Sequence, residues 1–253
     1  MRVLHIITGL DDGGAEAVLY RMCKLDKECQ HIVISLQGQG KQKYVSLLQK
    51  CNISVHTLNF SKTRINIFGL FKLFKLIRQL KPDVVQTWMP HADLIGGVMA
   101  RIVGVKNIFW GIHHTNLIKG KINRIVVIIN KLNAILSSFV PTKIIYCAEK
   151  SREAQESIGF KRNKGVVVHN GYDTNSFFQD SSVENDIRNE LGISHETFVI
   201  GHVGSYNPLK DQETLIKSLR YLDQKGINFN AIFVGKKLDS SNDNLIRLIE
   251  ENG

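Results

Sequence analysis

Long apolar runs are what this chain of 253 residues most plainly lacks. Its most hydrophobic stretch, Ile122 to Val140, is broken by Arg124, Asn130, Lys131 and Asn133. It falls short of the roughly 20 continuous apolar residues of a membrane span. The amino-terminal MRVLHIITGLDDGG holds an apolar run too short for the core of a signal peptide. Cysteine is also scarce. Cys23, Cys29, Cys51 and Cys147 form no CxxC pair and no His/Cys ligand spacing. Free thiols in a reducing compartment are therefore expected, rather than disulfides or zinc, and with them a cytoplasmic protein. No GxGxxG, P-loop, nucleophile elbow, HExxH or paired-carboxylate signature is present. Acidic charge is in deficit, with 23 Asp and Glu against 33 Lys and Arg, giving a net charge of +10. That excess calls for an acidic partner: nucleic acid, anionic lipid or a phosphorylated ligand. Nucleic acid fits least, because the cations are dispersed and no aromatic-and-basic binding motif accompanies them.

What the chain does have is a composition of 43% hydrophobic and 22% charged residues, that of a soluble globular protein able to bury a core. Short β-branched runs alternate with helical patterns. Strands are expected at Val3–Ile7, His31–Leu36, Ile53–Leu58, Asp83–Trp88, Asn107–Ile112, Lys143–Cys147 and Gly165–His169. Helices are expected at Ala15–Leu25, Ile67–Leu80, Ala92–Val103, Lys121–Phe139 and Glu149–Ile158. Most strands are apolar without alternation, as strands covered on both faces should be. This order predicts an α/β fold with a parallel, doubly wound, Rossmann-like sheet in a first domain, 1–169. A turn-rich segment, Asn170 to Phe178, and the polar stretch Gln179–Asn189 mark the boundary to a second domain, 170–253. There a new series begins: strand Phe198–Val203, helix Pro208–Gln224, strand Phe229–Val234 and a helix from about Asn242 to Glu251. Two βα units make an incomplete Rossmann-like domain, so the chain is expected to stop mid-fold.

Three places could carry chemistry. Gly204 and Ser205 follow the strand Phe198–Val203, and Asn207 with Pro208 reads as an N-cap and first helical position. A helix start after a glycine turn offers free N–H groups to an anion, and Lys210 adds a full charge. An ordinary βα connection with a solvated lysine fits the same residues. After the first strand, Gly13 and Gly14 would let a phosphate or sugar approach the backbone, although a plain loop reads the same way. His113 and His114 stand at the end of the strand Asn107–Ile112, on the edge where open α/β sheets bind ligands; either could instead cap a turn. Separately, the helix Ile67–Leu80 is apolar over most of its circumference, with Lys72, Lys75 and Arg78 along one side. It could rest on anionic lipid, as could the cations of Lys119–Lys131, or it could pack on the sheet with a solvated basic edge.

Taken in order, these pieces resemble the family 4 (group 1) glycosyltransferases of GT-B architecture. The resemblance rests on Gly13-Gly14-Ala15-Glu16, on the strand-end histidine before Thr115, and on Val168-His-Asn-Gly-Tyr-Asp173 with Phe177. Its last element is Val203-Gly-Ser-Tyr-Asn-Pro-Leu-Lys-Asp211. It implies a retaining, hexosyltransferase-type enzyme that moves a sugar from a UDP- or GDP-sugar to a glycan or lipid-linked acceptor, with no metal or other cofactor. Cell-surface polysaccharide, lipopolysaccharide or glycolipid synthesis is the implied setting, at the inner face of the cell membrane. By match, His114 would face the transferred sugar and Lys210 would neutralise the leaving diphosphate, where charge builds in the transition state. Gly13, Gly14, Glu16, His113, Asn170, Gly204 and Ser205 would line the substrates. The pattern departs at Ser205, where the family carries arginine. The family's downstream pair of glutamates has no counterpart before Gly253. A truncated, non-catalytic binding or accessory subunit is therefore the alternative, and poor transfer by this chain alone is expected.

Overall fold

The computed structural model describes residues 1–38, 42–60, 67–113 and 124–252. The chain divides into two compact units, Met1–Tyr172 and Asp173–Gly253. In the first, seven strands form one sheet: β1 (Arg2–Ile7), β2 (Gln30–Ser35), β3 (Ser54–Thr57), β4 (Val84–Trp88), β5 (Asn107–Ile112), β6 (Lys143–Tyr146) and β7 (Gly165–Val167). Their spatial order is β3-β2-β1-β4-β5-β6-β7, and every pairing is parallel. The chain winds outward from β1 to β3, returns to β4 beside β1, and winds outward the other way. The β1/β4 boundary is thus the topological switch point, where ligands bind beyond the strand C-termini.

Helices cover both faces, which explains the continuous apolar strands. On one face α1 (Gly14–Leu25) and α2 (Lys43–Lys50) bury Leu19, Cys23, Tyr44 and Leu48 against Ile7, Val33 and Trp88. On the other lie α3 (Ile67–Leu80), the short α4 (Pro90–Ala92) running through a π turn at Asp93–Gly97 into α5 (Val98–Val103), and α6 (Arg124–Leu136). Leu73, Ile77, Ala92, Ala100 and Ala134 pack there on Leu4, Ile6, Val85 and Trp110. A Cβ on Gly97 would lie 2.4 Å from Trp110 Nε1, so the π turn sits this close to the sheet only because that residue is glycine. Helix α7 (Glu149–Ser157) precedes β7.

The second unit holds α8 (Ser181–Leu191), β8 (Phe198–Val203), α9 (Gln212–Gln224), β9 (Phe229–Val234) and α10 (Asp243–Glu250), with β8 and β9 paired in parallel. Its small core joins Ile216, Leu238 and Leu245 to Tyr206 and Phe233. Two expectations change here. The polar stretch Gln179–Asn189 is largely helical: Asp180 caps it, accepting from Ser182 N–H at 2.9 Å and Val183 N–H at 3.3 Å. Val183, Ile187 and Leu191 recur every four residues, a thin stripe hidden among charges. The helix expected from Pro208 begins instead at Gln212. Asn207 does cap, but it caps a turn, accepting from Leu209 N–H at 2.9 Å; Asp211, at φ 51°, then breaks the helical run.

Candidate active site

In the first unit Gly13, Gly14, His113 and Asn170 follow the C-terminal ends of parallel strands, so they share one edge. Gly13 is the N-cap of α1, and a Cβ there would lie 2.3 Å from Glu16 Oε2. The half-buried turn thus folds the Glu16 carboxyl back over the helix start. Burial raises the pKa of this carboxyl, its own backbone N–H opposes, and Asp11 and Asp12 add to the rise. Gly14 has open space where a side chain would be. His113 follows β5, its ring stacked on Trp88 with centroids 5.0 Å apart and planes 14° from parallel. His114 and Thr115 lie outside the described residues. Asn170 is half-buried just past β7, on the same edge. Asp173 forms a local turn, accepting from Asn175 N–H and the Ser176 hydroxyl.

In the second unit one turn brings Gly204, Ser205 and Lys210 together. Gly204 N–H extends the ladder to Val234 O at 2.9 Å, and Lys210 N–H donates to Asn207 O at 2.8 Å. The Lys210 stem passes Gly204, its Cγ 3.8 Å from where a Cβ would stand. Two residues that motif reading missed hold this turn. Buried Gln212 donates from Nε2 to Ser205 O at 2.9 Å, and its Oε1 accepts from Asn207 N–H at 3.4 Å. Gly235 follows β9 at φ 149°, and any Cβ there would meet Gly204 O at 1.6 Å. A glycine directly after a strand was the legible signal for the second; nothing marked the first.

Sequence also missed a buried polar set beneath the first edge. Trp88 ends β4 at the switch point, and Met89 follows at φ 74°. Asp93 is fully buried; the Thr87 hydroxyl donates to its Oδ1 at 2.6 Å, and its Oδ2 has no partner. Burial holds this carboxyl well above the usual range, against the Thr87 bond. His5, Cys23 and His31, distant in sequence, place potential metal-ligand atoms within 4.8 Å of one another.

Comparison with known proteins decides what this architecture is. The family model for glycosyltransferase family 4 matches residues 12–176, well over half of the chain. The chain belongs to glycosyltransferase family 4. Among relatives, it is 23% identical over 253 residues to EpsF of Bacillus subtilis (strain 168), a protein named as a candidate glycosyltransferase. That match covers 92% of this chain and 62% of EpsF. It is 23% identical over 168 residues to the UDP-Gal:alpha-D-GlcNAc-diphosphoundecaprenol alpha-1,3-galactosyltransferase of Escherichia coli, covering 66% of this chain and 43% of that one. Among solved structures, Anabaena HepE in complex with UDP-glucose superposes with a TM-score of 0.78 at 20% identity, covering 100% of this family 4 chain and 65% of HepE. That likeness is one of fold, α/β and GT-B. The chain thus spans less than two thirds of the length of these relatives.

Proposed function

We propose that this family 4 chain carries the acceptor-side domain and the start of the donor-side domain of a retaining glycosyltransferase. It moves a hexose from a nucleotide-diphosphate sugar to a glycan or lipid-linked acceptor in cell-surface polysaccharide, lipopolysaccharide or glycolipid synthesis. The observation that carries this reading is the family match over residues 12–176, joined to a cation-bearing strand-end turn in the following unit. Lys210 neutralises the diphosphate as the glycosidic bond breaks, which lowers the barrier because charge develops on the leaving group. Gly204 and Ser205 line the diphosphate, His114 faces the transferred sugar, and Gly14 leaves room for it. The donor is a UDP- or GDP-sugar, in keeping with the UDP-glucose of the HepE complex and the UDP-Gal in the name of the E. coli relative. Catalysis falls to side chains alone, with no metal.

A lipid-linked acceptor fits the outer side of the first unit. Between Glu28 and Glu149 only Asp83 and Asp93 are acidic, and Asp93 is buried. The helices on that sheet face expose Phe68 (83%), Phe71 (65%), Ile128 (58%) and Ile135 (67%), beside exposed Lys72, Lys75, Arg78 and Lys131. Apolar side chains among cations, with few counter-charges, suit an anionic bilayer surface at the inner face of the membrane. No helix among the described residues is long and apolar enough to cross a membrane.

The experiment is sugar transfer from UDP- and GDP-sugars to lipid-linked and oligosaccharide acceptors, run beside titration of UDP and GDP. Transfer with retained anomeric configuration supports the enzyme. Nucleotide binding without transfer supports the accessory subunit, and neither would sink the reading. Cosedimentation with vesicles tests the membrane face. Binding confined to anionic vesicles and lost with salt is expected, since screening acts within about 8 Å at physiological ionic strength. Equal binding to neutral vesicles would count against it.

A further inference from the structure

Four aromatic side chains climb one face of the first sheet in a diagonal, one step per strand. His31 on β2 pairs with Val3, two residues below His5 on β1. Trp88 on β4 pairs with Ile7, two residues above His5. Trp88 in turn pairs with Gly111 on β5, two residues below His113. Because side chains alternate faces, steps of two keep all four on the α1 side. The contacts are continuous. Trp88 Nε1 lies 3.3 Å from His5 Nδ1, His5 Nε2 lies 2.9 Å from His31 Nδ1, and His31 Nε2 lies 3.2 Å from Asp26 Oδ2, in a bent arrangement. His5 is fully buried, and His31 and Trp88 nearly so.

Hydrogen-bond roles along this line have one solution. An indole N–H only donates, so His5 Nδ1 must accept. Neutral His5 then carries its proton on Nε2 and donates to His31 Nδ1. That leaves the His31 proton on Nε2, which makes no hydrogen bond and lies 3.2 Å from the Asp26 carboxylate, an ion-pair distance. The indole end alone fixes these tautomers, and the nearby carboxylate favours a proton on the nitrogen that faces it. Asp26 is itself fixed, its Oδ1 accepting from Glu28 N–H at 2.9 Å and Cys29 N–H at 3.3 Å.

We propose that His5 and His31 are positioning residues: with Asp26 as anchor, they fix the Trp88 indole and, through its stacked face, the His113 ring at the ligand edge of the sheet. Its value to catalysis rests on the transferase reading above; the relay does not. A metal ion held by His5, Cys23 and His31 is the competing use of the same atoms. It would require the His5 nitrogen facing His31 to give up its proton, which would turn the His5 Nδ1–H against the indole N–H.

The test is nitrogen-15 NMR of the histidine rings in the full chain, with Asp26→Ala, His5→Phe and His5→Gln beside the parent. In the parent, His5 and His31 should both be Nε2–H tautomers, and His113 should carry the ring-current shift of a stacked neighbour. Asp26→Ala removes the outer end of the line and the acceptor of the Glu28 and Cys29 N–H groups, outside the sheet core. It should speed solvent exchange of the Trp88 indole proton about twofold to fivefold, the weight of roughly one partly exposed ion-pair contact. It should also diminish the His113 shift. Gln at position 5 can accept and donate in turn, so it should restore both signals where Phe abolishes them. An Nδ1–H tautomer at His5 would overturn the proposal. So would unchanged His113 shifts in both Asp26→Ala and His5→Phe, or cobalt–thiolate absorption appearing with one equivalent of added Co²⁺. Failure of the parent to bind UDP or GDP would count against the transferase reading, while the tautomers and shifts would still decide the relay.

Discussion

The same device, a strand running through a glycine turn into a helix, occurs in both units, and the two copies are held and charged in opposite ways. After β1 the turn carries Asp11 and Asp12, with Lys43 paired to Asp12 at 3.0 Å, and α1 starts at once after Gly13 with Glu16 in its first turn. After β8 the turn carries Lys210, and the neighbouring strand end contributes Lys236 and Lys237 to the chain beside it, Tyr206 N–H donating to Lys236 O at 2.9 Å. Carboxylates accept hydrogen bonds from sugar hydroxyls but repel phosphate, whereas lysines attract phosphate. On the function proposed above, the diphosphate would go to the second turn. The supports differ as well. The first edge stands on buried titratable groups, the second on backbone packed too tightly for any side chain at Gly235.

Breaking the second support should have the largest effect. Gly235→Ala places a Cβ against Gly204 O at a backbone angle only glycine adopts readily, so a loss of about 3 kcal/mol or more is expected in urea unfolding. A loss below about 1 kcal/mol would mean the two turns are not locked together. Next comes charge. Lys210→Ala should weaken UDP or GDP binding about tenfold to a hundredfold, and Ser205→Ala by no more than a few fold, because a charge-assisted bond is roughly twice a neutral one. Calorimetric titration of both variants decides it, and equal losses would count against the allotment.

A subtler separation lies in pH. Burial raises the pKa of Asp93 in the folded first unit above its ordinary value of 3.8, so its contribution to stability falls as pH rises past that value. His5 acts with the opposite sign. Its pKa is lowered from 6.5 to about 3, chiefly by burial and next by His31, so stability is lost as pH falls from about 6.5 towards 3. Asp93→Asn, which still accepts from Thr87, should therefore melt progressively higher than the parent as pH rises from 5 to 8. A gap that does not change with pH would place an ionised carboxylate in the core. Smallest of all, Gly14→Ala meets open space at the first residue of α1, so stability should hold or rise by up to about 1 kcal/mol. If Gly14 admits a sugar, transfer should fall in this variant while Tm does not; unchanged kinetics would return Gly14 to an ordinary helix start.

Local chemistry by itself determined a good deal of this protein. The β-branched runs specified a parallel sheet covered on both faces, and Phe198–Val203, Phe229–Val234 and Ile67–Leu80 begin and end where their apolar patterns do. Those signals are legible because periodicity and strand propensity act within a few residues. They fail where local and distant demands compete. Asn207 was a true cap, yet Gln212, folded back onto Ser205, and Asp211, turned left-handed, postponed the helix beyond it. Ser181–Leu191 was hidden because its apolar stripe is one residue wide. The rest belongs to the tertiary structure alone. Spacing in sequence gave no hint that Cys23 would lie beside His5 and His31, or that Trp88 would meet His113 across two strands. Sheet register decides such meetings, and register is set by the packing of whole strands and helices rather than by any residue's own neighbours in the chain.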